Sequence, residues 1–196
     1  LVEGLDGKAA AGTQAQQIRD LYQSYLDQKT RNAKGTAPLL PMLSEIEQIR
    51  TPQDLARAFA QSGRIGGNAP FGFWIDADAK APDSYAVYLY QSGLSLPDRD
   101  YYLKTDAASQ ALLQKYEQHI AAMLSRFGEA DAGAKAKRIL ALETRLAQIQ
   151  WDNVALRDRE KNYNKGPVSE LKRLAPAIDW DAYLGQAGLA GQQSLV

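Results

Sequence analysis

The chain of 196 residues contains no cysteine. That excludes a disulfide framework, a thiolate nucleophile and a cysteine-ligated zinc, and it suits a reducing or an oxidising compartment equally. There is one histidine, His119. A zinc hydrolase of the His-Glu-x-x-His type needs two imidazoles one helical turn apart, with a glutamate base between them. His119 stands in "EQHIA" without a partner of that kind. No apolar run approaches the roughly 18–20 residues of a membrane span. The opening "LVEGLDGKAA" lacks the charged start and apolar core of a signal peptide, and it does not begin with Met. A processed product or an excised piece of a longer protein is the expectation. Charge shows no bias either, with 23 Lys and Arg against 23 Asp and Glu. Nucleic-acid binders carry a basic excess or stripe, so no nucleic-acid partner is expected. "GRIGGNAPFG" has glycines but no Lys-Ser pair after them, which argues against a phosphate cradle.

What is present is mostly helical periodicity. Residues 1–12 read as a loose Gly- and Ala-rich segment. Thr13, with Gln16 three residues on, predicts a helix start. Ile18, Leu21, Tyr22, Tyr25 and Leu26 then follow at helical spacing, to a stop at Lys34–Gly35. Leu39, Leu40, Leu43 and Ile46 make a short apolar face. "TPQDLARAFAQSG" combines a Thr51 cap, Pro52 at the first helical position and Asp54 near the positive end of the dipole. The period then changes to two. Phe71, Phe73 and Ile75 alternate, as do Tyr85, Val87 and Leu89 against Ala86, Tyr88 and Tyr90, which predicts an antiparallel hairpin about "ADAKAPD". A lone hairpin is marginal in water and must pack on helices or pair with a further strand.

Helical spacing resumes in Leu112, Leu113, Tyr116, Ile120, Met123, Leu124 and Phe127. A second helix follows with Ile139, Leu142, Leu146 and Ile149, and the short link predicts an antiparallel pair. "RDREKNYNKG" reads as a polar turn, "PVSELKRLAP" as a short helix, and "DWDAYLGQAG" as another with Asp179 as its cap. Residues 190–196 read as a tail. The fold class is mainly α, a helical lobe of residues 13–189 with one antiparallel β-hairpin.

Three pairs of carboxylates invite an acid–base reading: Asp76/Asp78, Asp98/Asp100 and Asp179/Asp181. Acid–base work needs two carboxyls on one reacting centre, often with one pKa raised by burial. Asp76/Asp78 lies at a strand end, where Asp bonds the backbone. Asp179/Asp181 lies at a helix start, where the dipole favours it. The remaining pair sits in "GLSLPDRDYYLK", which could be a set of catalytic acids, a nucleic-acid patch or a structural clamp. Pro97 holds the backbone extended, Arg99 offers a planar fork for a carboxylate, and Tyr101 and Tyr102 can bury their rings while keeping a hydroxyl partner. The six residues Pro97, Asp98, Arg99, Asp100, Tyr101 and Tyr102 are read as a structural junction that pins the hairpin to the following helices. On that reading Arg99→Ala costs about 3–5 kcal/mol through loss of a buried charge pair. No residue is assigned a catalytic or metal-binding role.

"GLSLPDRDYYL" closely resembles a signature of the amino-terminal lobe of the neprilysin and endothelin-converting-enzyme family of zinc metallopeptidases. "APLLPMLSEI", "APFGFWIDADAKAPDSYAVYLYQ", "ALETRLAQIQW" and "RDREKNYNKGPVSELKRLAPAIDWDAYL" resemble further segments of that lobe in order, over roughly residues 13–189. The resemblance implies a helical lobe that caps a catalytic lobe of the same polypeptide, encloses a chamber and restricts substrates to peptides. It implies zinc in the full-length enzyme, held by a His-Glu-x-x-His and a further Glu that this chain lacks, so no cofactor is expected in this segment and the segment alone should be inactive. It carries no substrate-binding residue onto this sequence. It favours an exported or periplasmic location, and the lack of cysteine is more like a bacterial relative than the animal ectoenzymes. The competing reading is a stand-alone helical peptide-binding module without enzymatic activity.

Overall fold

In this computed structural model the described residues are 9–196. Most of the segment read as loose, residues 1–8, lies outside them. The chain divides into two units, Leu1–Ser44 and Glu45–Val196.

The first unit holds α1 (Gln14–Leu26) and α2 (Gln28–Lys34). Thr13 caps α1 by accepting from the Gln16 N–H. One continuous helix was expected here, and Asp27 breaks it. The Asp27 carboxylate accepts from the Thr30 N–H (2.9 Å), so it ends α1 and caps α2 at once. An Asp side chain competes with the helical ladder for backbone donors in this way. Leu40–Glu47 (α3) crosses into the second unit.

The second unit continues with α4 (Pro52–Arg64), closed at its start by a reciprocal Thr51–Asp54 capping box. Strands β1 (Phe71–Asp78) and β2 (Ala81–Gln91) form the predicted hairpin in the register Gly72↔Tyr90, Trp74↔Tyr88 and Asp76↔Ala86. The turn is tighter than expected, because β1 runs through Asp78 and β2 starts at Ala81. Gly72 lets the Tyr90 ring lie over the strand: a Cβ there would stand 2.6 Å from that ring, which would have to move aside. Trp74 stacks on Tyr88 beside it, with centroids 5.2 Å apart.

Asp100–Leu103 (α5), Ala107–Arg126 (α6) and Ala132–Ile149 (α7) follow, then α8 (Arg159–Asn162), β3 (Gly166–Pro167), α9 (Val168–Leu174), α10 (Trp180–Ala187) and β4 (Ser194–Leu195). With ten α-helices and four strands among the described residues, two of them only two residues long, the fold is mainly α. The core lies between α4, α10 and the inner face of the hairpin, where Ala56, Ala60, Val87, Trp180, Tyr183 and Leu184 are buried. The stretch set apart as a tail is packed into this unit. β4 pairs with β3, Leu195 is buried, and Val196 bonds both ways to β2 through Val87 O and Leu89 N–H. These bonds and the aromatic core supply the partners that a hairpin needs.

The buried face of α7 is not the leucine face that spacing suggested. Leu142 and Ile149 are exposed, and Ala136, Glu143 and Ala147 are buried. The helix is rotated so that small residues and one carboxylate face the neighbouring elements.

Candidate functional site

That carboxylate organises the best-defined polar centre of the chain. Glu143 is 7% exposed. Its Oε1 accepts from the Ser95 hydroxyl (2.7 Å), and its Oε2 accepts from the hydroxyls of Tyr102 (2.9 Å) and Tyr116 (2.8 Å). The Tyr102 oxygen in turn accepts from the N–H groups of Ser95 (3.2 Å) and Leu96 (2.9 Å). One carboxylate thus fastens the turn after β2, α5, α6 and α7. Burial pushes both tyrosine hydroxyls above their ordinary range, and Glu143 adds to the shift. Each phenol therefore stays protonated and donates.

A second set of bonds ties the end of α7 to the same turn. Arg99 Nη1 donates to the Gln150 carbonyl (2.6 Å), and Gln150 Nε2 donates to the Ser92 carbonyl (2.7 Å). Gln91 and Trp151 exchange a reciprocal pair of bonds (3.0 and 2.9 Å). Asp98 accepts from the Asp100 N–H (2.8 Å) and from Asn153 Nδ2 (3.0 Å). Pro97 and Tyr101 are exposed. Of the six junction residues, Tyr102, Arg99 and Asp98 therefore reach other elements. Arg99 differs from the expectation, since its partner is a carbonyl and its side chain is half-buried. Of the flanking carboxyls, Asp98 is turned to backbone and amide donors, and Asp100 faces the Lys104 ammonium (3.9 Å). Arg99→Ala accordingly should cost about 1.5–3 kcal/mol, one hydrogen bond from a charged donor, and not the larger penalty of a broken ion pair. Urea unfolding of the variant measures the difference.

The sequence pattern missed Glu143, which in "ALETRL" looks like a solvated helix carboxylate. The available signal was its place on one helical face with Ala136 and Ala147.

None of the three carboxylate pairs converges on one centre. Asp76 bonds the next backbone N–H, Asp179 caps α10, and Asp181 pairs with Lys172 (2.7 Å). Asp78 is buried and accepts from Lys165 Nζ (2.5 Å), the Tyr163 hydroxyl (2.7 Å) and the Lys80 N–H (2.9 Å). The Lys165 ammonium, then the Tyr163 hydroxyl, hold its carboxyl far below the ordinary carboxylate range. The same contact pushes Tyr163 up to about 12. The sign is that of a depressed acid: the stabilisation is full above about pH 4 and is lost as pH falls towards the lowered folded value. Asp78→Asn is therefore expected to be less stable than the parent at neutral pH and to converge on it in acid. Urea midpoints measured from pH 7 down to pH 2 check this.

Metal binding needs converging ligands, and no group of three or more His, Cys, Asp or Glu is placed to hold an ion among the described residues. His119 is exposed on α6. Among the described residues, none of these groups fits a zinc site. No helix is long and apolar enough to cross a membrane among the described residues.

The described fold is mainly helical with one hairpin, and its buried carboxylates, Glu143 and Asp78, are each held by donors from several elements. Its sequence model places it: that of peptidase family M13 matches residues 1–196. The chain belongs to peptidase family M13, within the amino-terminal lobe. Endothelin-converting enzyme-like 1 of Rattus norvegicus is 27% identical over 189 residues, 89% of this chain and 24% of that protein. Endothelin-converting enzyme 1 of Homo sapiens is 37% identical over 118 residues, 58% of this chain and 15% of that protein. Among solved structures, the Mycobacterium tuberculosis zinc metalloprotease ZMP1 in complex with an inhibitor is similar over 100% of this chain and 30% of its own, with TM-score 0.89 and 34% identity. The chain thus spans about a quarter of the length of the curated relatives and under a third of the solved one.

Proposed function

We propose that this chain is part of the non-catalytic lobe of a neprilysin-like zinc endopeptidase, that it walls the active-site chamber, and that it restricts substrates to peptides. The observation that carries the proposal is the likeness of the whole chain, at TM-score 0.89, to 30% of a longer zinc metalloprotease. On this reading zinc and hydrolysis belong to the rest of the polypeptide, and no step of the reaction is assigned to residues of this lobe. Its partners are then the catalytic lobe of the same chain and the peptides enclosed between the two. The lack of cysteine supports a bacterial type, and the family resemblance supports an exported or periplasmic location.

A rigid wall suits that role. Glu143 and Asp78 each draw donors from several elements, so parts distant in sequence are held in one geometry. The test is cleavage by the full-length protein of unstructured peptides of increasing length and of a folded protein, with and without a chelator. Chelator-sensitive cleavage of short peptides, with the folded protein spared, is expected. Equal attack on the folded protein would overturn the size limit. Chelator-sensitive cleavage by residues 1–196 alone would overturn the non-catalytic role. Peptide binding without cleavage by the full-length protein would favour the stand-alone module.

A further inference from the structure

The two edges of the hairpin are not equivalent. The Leu89 N–H donates to Val196 O (2.8 Å) and the Val196 N–H to Val87 O (2.9 Å), so Val87 and Leu89 turn their peptide groups away from β1. In an antiparallel ladder, alternate residues of a strand turn their peptide groups to alternate sides. Ala86, Tyr88 and Tyr90 therefore bond β1 at Asp76, Trp74 and Gly72. The Ser92 N–H on Pro70 O (3.0 Å) continues the same parity. Phe71, Phe73 and Ile75 are left facing outward, and β1 has no second neighbour among the described strands. Beyond Ile75 the edge is closed. Asp76 Oδ1 accepts from the Ala77 N–H (2.7 Å), and the Tyr88 hydroxyl donates to the Ala77 carbonyl (3.1 Å). The open part, "FGFWI", has none of the Lys, Pro or inward charges that usually blunt an edge strand.

A cleft of about 330 Å³ borders this open part. Phe71 and Phe73 line it from the core face of the hairpin, and Tyr90 lines it from the outer face, across Gly72. Side chains from both faces meet at the open end and the free edge of the hairpin, so the cleft, which Asn68, Ala69 and Ser92 also line, borders the start of β1. Tyr183 and Phe59 add apolar wall. Arg64 stands at the same cleft, exposed and in no ion pair among the described residues, beside Gly66 and Gly67.

Resting on the reading of this lobe as a chamber wall, we infer that β1 binds an extended peptide by strand addition, antiparallel, with its C-terminal carboxylate on Arg64. An antiparallel partner brings its C-terminal end to the start of β1, the end at which Arg64 and Phe71 share the cleft. Backbone bonds at Phe71, Phe73 and Ile75 give affinity without sequence preference, and the cleft selects an apolar side chain. Arg64 supplies the charge complementarity that fixes direction.

The experiment uses the full-length protein with a chelator present and a fluorescein-labelled peptide, Thr-Val-Thr-Val-Thr-Phe, read by anisotropy. The free-acid peptide should bind about tenfold tighter than its C-terminal amide, the worth of one charge-assisted bond. In Arg64→Gln that gap should close, with an unchanged melting temperature showing that the fold is intact. N-methylation of every second residue should abolish binding in one phase and leave it in the other. An unchanged gap in Arg64→Gln, or equal binding of both methylated peptides, would overturn the inference; a segment of the same polypeptide already seated on β1 gives that result. Cleavage of short peptides by the parent without an Arg64-dependent gap removes this inference and leaves the proposed function standing. An Arg64-dependent gap in a protein that cleaves no peptide does the reverse.

Discussion

Glu143→Ala is expected to lower the stability of the lobe by about 3–5 kcal/mol, the overlapping loss of three hydrogen bonds to one buried carboxylate. Three hydroxyls, from Ser95, Tyr102 and Tyr116, point at this carboxylate. Each bond to a charged acceptor is worth about 1.5–3 kcal/mol, and each buried donor left unpaired costs about 1–3 kcal/mol. Tyr102 is 4% exposed and cannot turn to water. The three contributions overlap, since one group serves all of them, and they do not simply add. Glu143→Gln keeps the shape and one acceptor oxygen but presents an amide donor to a hydroxyl donor, so an intermediate loss is expected. Tyr116→Phe removes one bond, at about 1.5–3 kcal/mol. The double variant Tyr116→Phe with Glu143→Ala should lose less than the sum of the two. Urea unfolding gives all four values, and a Glu143→Ala midpoint equal to that of the parent would refute the role assigned to this carboxylate.

The reason Glu143 escaped the sequence also explains what the sequence did reveal. Local rules wrote the hairpin, because period two with aromatic and β-branched residues has few other solutions. They wrote the starts of α4 and α10, because Thr51 and Asp179 each satisfy donors within three residues. The break at Asp27 was also local, but the apolar stripe from Ile18 to Leu26 hid it. The remaining features depend on pairings across the chain. Lys165 reaches Asp78 over 87 residues, and Ser95 reaches Glu143 over 48. A carboxylate is solvated or buried according to whether hydroxyls from other elements arrive beside it, and no periodicity encodes that arrival. The junction reading of the motif came from its residue types alone. Its true acceptor, on α7, was not legible, and Arg99 was given a carboxylate where the fold supplies a carbonyl.

Tyr183→Ala should cost about 3–5 kcal/mol, comparable to other large aromatic truncations in protein cores. Tyr183 is 1% exposed and stands on α10 where that helix meets β1 and α4. Its ring centroid lies 5.0 Å from that of Phe71, 5.8 Å from that of Trp180 and 6.4 Å from that of Phe73. Each such pair contributes about 0.5–1.5 kcal/mol beyond area burial. Alanine would open a void between rings that the surrounding helices can close only in part. Burial pushes the Tyr183 hydroxyl up to about 12, so the phenol stays neutral through the physiological range. Tyr183→Phe keeps the ring contacts and should cost less than about 1.5 kcal/mol, as volume-conserving swaps do. Because marginal stability is about 5–15 kcal/mol in all, the alanine variant should show a greatly reduced urea midpoint. The strand β1 should also lose amide exchange protection first, since its inner face rests on this ring. Protection lost first in α6 and α7, with β1 spared, would place the weak point of the unit elsewhere.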